Sequence, residues 1–318
     1  MHEAAQTHPL AGWIPWRPTE GQEALEWLPL DGRPFLEPFF EDALRRLRRT
    51  TRDRRPVRTA GEALDAPLDG LPAAAPALFI FHVSRCGSTL LAQMLATDPA
   101  TVVLSEPPLL DHLARHGQAA RIPALLRLLG QRQRASERRL VVKLDSWALA
   151  YHGALRALFP GVPFALLYRR PGPILESQRR LRGLQAIPGV LPAELFGLEA
   201  GDLPALQPGV PAEEVFDRYF ERVLARLFAW MAKVAASDPG AFLLDFEAGA
   251  EACHRRLLRS LGPDPDPAVL EAARARAALD GKRPGLVFQP PRPAAPAPPP
   301  LEAAYTLLDS LRSERRDP

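Results

Sequence analysis

The chemistry of this chain is most legible where residues 79–91 read Phe-Ile-Phe-His-Val-Ser-Arg-Cys-Gly-Ser-Thr-Leu-Leu. An apolar run ends in a short loop with one glycine, Gly87, and a helical pattern begins at once with Ser88 and Thr89. Strand, tight turn and helix start in that order leave backbone N–H groups unpaired and pointing outward, and the helix dipole reinforces them, so the segment suits an anion. Arg85 adds a full positive charge on a planar fork of donors that matches phosphate or sulfate oxygens. A plainer reading also stands, in which Ser88 caps the helix and Gly87 only permits the turn. Cys86 reads as a thiol activated at a helix N-terminus or, preferably, as a small packing residue. The loop lacks the first glycine and the lysine of the G-x-x-x-x-G-K-[ST] motif, which argues against an ATP-dependent phosphotransferase.

A second basic segment, Tyr168-Arg-Arg-Pro-Gly-Pro-Ile-Leu-Glu-Ser177, closes another apolar run. Arg169 leaves the strand end and Ser177 stands two turns along the following helix, so both can converge on one phosphate. Lys143 is one of three lysines and ends the run 140–144. A flexible point charge there can follow charge developing on a leaving oxygen, or it can simply snorkel from a strand end. Glu106 follows the run 101–104 and precedes Pro107 and Pro108. It reads as a proton acceptor or as a partner for one of the many arginines. An exposed glutamate titrates near about 4.3, so as a base toward an alcohol it must act in concert with transfer or be raised by burial. His82 reads as a core histidine, and Asp145 and Ser146 as helix caps.

Ser84 to Leu91 resembles the 5'-phosphosulfate loop of sulfotransferases, Pro-(Arg/Lys)-Ser-Gly-(Thr/Ser)-Thr-Leu, with Ser84 and Cys86 in place of proline and serine. Residues 169–177 are similar to the 3'-phosphate motif of the same superfamily, Arg-(Asp/Asn)-Pro followed by serine, with Arg170 departing from it. The resemblance implies that Arg85, Cys86, Gly87, Ser88 and Thr89 hold the phosphosulfate of 3'-phosphoadenosine-5'-phosphosulfate (PAPS) as co-substrate, without a metal. It assigns the 3'-phosphate to Arg169 and Ser177, with Lys282 and Arg283 in a basic glycine-containing loop, Gly281 to Gly285, closing over it. Glu106 becomes the base, with His112 as second choice because small-molecule enzymes of the family use a histidine. Arg85 and Lys143 complete the catalytic set. Phe242 to Glu247, and a helix ending at Leu261-Gly262, resemble a late structural piece of the family. The implied activity is sulfuryl transfer to a hydroxyl or amine of an unidentified acceptor; a nucleotide-binding regulatory protein on the same scaffold is the alternative.

These residues need a scaffold that brings strand ends together. From residue 77 short apolar runs alternate with helical patterns: strands at 77–83, 101–104, 140–144, 164–168 and 241–246, and helices at 88–96, 147–159, 173–182, 212–236, 251–261 and 267–279. Strands apolar throughout expect cover on both faces, so the pattern predicts a P-loop-like three-layer α/β/α fold with a central parallel sheet. Residues 1–60 read as an accessory hairpin (13–17 and 25–30, turning near Glu20 and Gly21) and a helix (35–47). Residues 61–76 read as a connector, 77–288 as the α/β domain, and 289–318 as a proline-rich segment with a last helix at 301–312. Residues 183–211 break the rhythm as a lid or substrate loop would, and their leucines, with Trp13, Trp16 and Trp27, read equally as an apolar lining or as core.

The bulk numbers set outer limits. Hydrophobic residues make up 47% and charged residues 24% of 318, with net charge +3, as in an ordinary folded protein. The pI of about 9.1 comes from scattered arginines, including Arg45, Arg46, Arg48, Arg49, Arg52, Arg54 and Arg55, which read as solvated faces; no nucleic-acid partner is expected. Two cysteines fit a reducing compartment, and the N-terminus lacks the pattern of a secretory leader, so a cytoplasmic protein without a transmembrane segment is expected.

Overall fold

A computed structural model describes residues 8–19, 24–51, 57–203, 209–262, 266–289 and 294–314. The expected turn at Glu20 and Gly21, the arginines at 52, 54 and 55, and part of the proline-rich stretch lie outside the described residues.

The chain opens with the expected hairpin, β1 (Trp13–Pro18) and β2 (Ala24–Pro29), followed by α1 (Phe40–Thr50). Part of the expected accessory region supplies a third strand, β3 (Val57–Ala60), so the unit is a three-stranded antiparallel sheet in the order β1-β2-β3. Pairing is what makes a strand of these exposed residues: β3 lines up on β2, and Trp27 donates its indole N–H to the Thr59 hydroxyl at 2.8 Å.

The main sheet consists of β4 (Ala75–His82), β5 (Thr101–Ser105), β6 (Arg139–Lys143), β7 (Phe164–Tyr168) and β8 (Ala241–Asp245). All pairs are parallel, in the order β5-β6-β4-β7-β8. Every residue of β5, β7 and β8 is buried, which is why these strands carry apolar runs rather than alternation. Helices α2 (Ser88–Leu95), α8 (Ala250–Leu261) and α9 (Pro267–Ala277) pack together as one layer. The other layer holds α6 (Pro171–Arg180), α7 (Ala212–Ser237) and α10 (Pro299–Glu314). Between β5 and β6 run α3 (Pro108–Arg115) and α4 (Ile122–Leu129), against which β1 lies. The expected helix at 147–159 divides into a 3-10 turn (Ala148–Tyr151) and α5 (His152–Leu158).

The first strand of the sheet in sequence, β4, sits at its centre. The chain goes out to the edge at β5, returns through β6, and crosses to β7 and β8 on the other side. The strand order therefore reverses beside β4, and ligands of open α/β sheets bind in the crevice at the carboxyl ends there. Within 183–203 Ala186, Leu191, Phe196 and Leu198 are buried, so much of this loop is core; Leu181, Leu184 and Val190 beside or within it are exposed. No helix of the described residues is long and apolar enough to cross a membrane.

Candidate functional site

At the carboxyl end of β4 the backbone takes an unusual course. Ser84 and Arg85 both have positive φ, 66° and 51°, followed by Gly87 at 85°. Left-handed conformations at non-glycine residues cost on the order of 1–3 kcal/mol each and persist only when neighbours enforce them. Here the Ser84 N–H donates to His82 Nδ1 at 3.0 Å, and its hydroxyl accepts from Gln178 at 3.2 Å and from Gln185. Glycine at 87 is required twice over, since its φ is left-handed and a Cβ would lie 2.3 Å from the Phe246 ring. The helix that follows has no side-chain cap: Gly87 occupies the N-cap and Ser88 is the first helical residue. Cys86 is fully buried, and burial pushes its thiol up to about 11. It is a packing residue, whose thiol donates to the Leu167 carbonyl at 3.6 Å.

Arg85 reaches from this loop to α6, where Nε donates to Ser177 Oγ at 2.8 Å and Nη2 to the Ser177 carbonyl at 3.0 Å. Two motifs 92 residues apart in sequence thus meet directly. Arg169, at the end of β7, donates from Nε to Glu247 at 3.0 Å and stands 5.5 Å from the Phe246 ring. Phe246 covers Gly87 and borders Arg169, so both halves of the expected anion site share one aromatic wall.

A second constellation gathers where β5 and β6 end. Their parallel pairing sets Ser105 opposite Lys143, and the Glu106 N–H donates to the Lys143 carbonyl at 2.7 Å. Glu106 then takes a positive φ of 58°, and its Oε1 pairs with Lys143 Nζ. Lys143 is fully buried, whereas the Glu106 side chain keeps 24% exposure. His82 Nε2 approaches the same oxygen at 3.4 Å. Because Nδ1 accepts from Ser84, the proton of a neutral imidazole must sit on Nε2, facing Glu106. Burial pushes the Glu106 carboxyl up, but Lys143 and His82 outweigh it and hold the group below the usual carboxylate range. His82 is therefore more than the core histidine expected, since it connects the loop to the candidate base.

Lys282 joins this group and Arg283 does not. The Lys282 ammonium is 5.7 Å from the centroid of Phe39, whose ring also lies 5.5 Å from Lys143. Desolvation, then the nearby charges of Arg85 and Lys143, lower its pKa to about 8. Arg283 instead pairs with Asp280 at 3.3 Å and is 71% exposed. His112 stacks on His116, the residue that ends α3, with centroids 4.1 Å apart, rather than joining the Glu106 group.

Asp145 went unrecognised in the sequence. Its side chain caps no helix: the cap of the following turn is Trp147, with no side-chain bond. Burial, then the Glu106 and Asp111 carboxylates, raise it well above the usual range. Its place two residues after Lys143, past the end of β6, was the available signal. Phe39 carried no signal, because nothing in the local pattern ties the hairpin–helix element to a loop more than two hundred residues on.

Together these residues can bind a multiply charged anion and take a proton from a group presented beside it. No protein-family model matches the chain, and no curated protein sequence does. Among solved structures the fold is similar to the sulfotransferase domain from the curacin biosynthetic pathway, with 18% identity over 74% of this chain and 99% of that one and a TM-score of 0.45. It is also similar to the sulfotransferase domain of the Synechococcus olefin synthase, with 16% identity over 79% and 99% of the two chains and a TM-score of 0.44. A sulfotransferase from Mycobacterium avium shows 14% identity over 86% and 83%, with a TM-score of 0.44.

Proposed function

We propose that this protein is a sulfotransferase, moving a sulfuryl group from PAPS to a hydroxyl or amine of an acceptor. The observation that carries the reading is the meeting of Arg85 with Ser177, which joins a phosphosulfate-type loop to a 3'-phosphate-type motif at the switch point of the sheet. The residues present fit such a polyanion. Lys143 pairs with Glu106 with Lys282 nearby, and the Lys282 pKa is lowered first by desolvation and then by repulsion from Arg85 and Lys143. A bound anion would relieve it.

In this reading the backbone N–H groups of 85–89, with Arg85, hold the phosphosulfate, while Arg169 and Ser177 hold the 3'-phosphate. The acceptor oxygen attacks sulfur as the bond from sulfur to the bridging phosphate oxygen breaks, and Lys143 and Lys282 are placed to stabilise the charge that develops. Glu106 takes the acceptor's proton. A carboxylate held below its ordinary range is a weak base in the resting protein, so proton transfer must accompany sulfuryl transfer rather than precede it. Lys143 moving toward the leaving oxygen would also strengthen Glu106 as a base at that moment, because its main compensating charge departs.

The test is ligand linkage. Adenosine 3',5'-bisphosphate at about 100 times its dissociation constant should add about 2.7 kcal/mol of stability, read as a rise in melting temperature, with ATP giving less at equal concentration. No shift with either the bisphosphate or the sulfate donor at saturation defeats the proposal.

A further inference from the structure

The N-terminal element carries three phenylalanines close together, and they are used unequally. Phe35 and Phe40 are 6% and 4% exposed and meet edge to face at 5.1 Å, anchoring the segment in the core. Phe39, between them in the chain and half-buried, lies beside the two ammonium groups of the candidate transfer site. Those distances fall within the range of cation–π attraction.

This placement is held firmly. Arg46 of α1 donates to Glu37 at 2.5 Å and also pairs with Asp31, which pins the segment before the helix. From α2, the helix that begins at the anion loop, the buried Gln93 donates to the Leu36 carbonyl at 3.0 Å. The oxygen of the same amide accepts from Arg276 Nη2 at 3.1 Å, and Arg276 donates in turn to the carbonyls of Leu279, Asp280 and Gly281. One buried amide therefore sets both Phe39 and the loop that bears Lys282. Gly281 itself lies against α2, where a Cβ would stand 3.2 Å from Leu90 N.

We infer that Phe39 is a positioning residue of the transfer site, holding Lys143 and Lys282 beside Glu106 and keeping water away from the buried Lys143 side of the site. The inference rests on the sulfuryl-transfer reading above. Its consequence concerns a side reaction that needs no acceptor. Water attacks the donor's sulfur, the bond from sulfur to the phosphate oxygen breaks, and sulfate and adenosine 3',5'-bisphosphate leave. The water's protons pass to Glu106 and on to solvent. A ring beside the sealed Lys143 suppresses this reaction by excluding the nucleophile from that side of the site.

The experiment measures sulfate release from PAPS without acceptor, alongside binding of adenosine 3',5'-bisphosphate, in wild type, Phe39→Ala, Phe39→Leu and Phe39→Tyr. The expected result is a rise in hydrolysis of about tenfold for Phe39→Ala at saturating donor, with bisphosphate affinity changed less than about threefold. Phe39→Tyr, which keeps the ring, should return hydrolysis to the wild-type rate. Phe39→Leu keeps bulk without a π face and should fall between them, which also guards against a poorly folding alanine variant. Equal hydrolysis in all four proteins, with bisphosphate binding intact, overturns the role of Phe39 while leaving the donor assignment standing. Absence of bisphosphate binding in the wild type overturns both.

Discussion

Removing either partner of the Lys143–Glu106 pair should have unequal consequences, because the two are unequally exposed. In Glu106→Gln the ammonium stays sealed, at 0% exposure, without its counter-charge. Breaking a buried pair from that side costs about 3–5 kcal/mol. In Lys143→Met the stranded carboxylate keeps 24% exposure and His82 at 3.4 Å, so solvent screening reduces the loss to about 1–3 kcal/mol. The double variant removes both charges at similar volume and should lie within about 1 kcal/mol of wild type. The single losses thus sum to about 4–8 kcal/mol against about 1 for the pair, a coupling of at least about 3 kcal/mol. Urea unfolding of all four proteins at neutral pH measures it. The pH dependence supplies a second check. Because the folded pKa of Glu106 lies below its unfolded value, its contribution is present above the unfolded pKa, about 4.3, and is lost as pH falls through the folded value. The gap between wild type and Lys143→Met should therefore narrow in acid. Additivity of the two substitutions within about 0.5 kcal/mol would refute the idea of a coupled buried pair.

Two further outcomes follow from packing and burial. Gly87→Ala should cost about 2–4 kcal/mol, combining the left-handed φ with the clash against Phe246; adding Phe246→Leu should recover part of the loss in chemical denaturation, and recovery of none would show that the ring is not the obstacle. His254 is 2% exposed, and burial lowers its pKa to about 4 from about 6.5. The unfolded chain therefore takes up this proton first, so stability is full above about pH 6.5 and falls toward pH 4, by about 3 kcal/mol. His254→Leu should flatten that stretch of the stability–pH curve, and an unchanged slope would assign the proton elsewhere.

What the sequence alone determined is local. Alternating apolar runs and helical patterns were enough to place the five strands of the parallel sheet to within a few residues, since strands buried on both faces must be apolar throughout. The spacing of Gly87 and Ser88 after β4, and of Ser177 after Arg169, was readable because strand, turn and helix start follow one another without interruption. The third N-terminal strand was missed because β3 is a strand only by pairing with β2 and has no buried face of its own.

The tertiary structure decided which of these residues meet. Glu106 and Lys143 are neighbours because β5 and β6 pair in parallel and in register, a relation absent from either segment's own pattern. Lys282 comes within 5.7 Å of the Phe39 ring while Arg283, next to it, turns to Asp280 and solvent, and no local rule separates two adjacent cations. Phe39 reaches the lysines only through a chain of contacts running from Leu36 through Gln93 to Arg276. Periodicity records which face of an element is buried; a site is made by side chains that different elements bring to the same point, and only the packed chain holds that information.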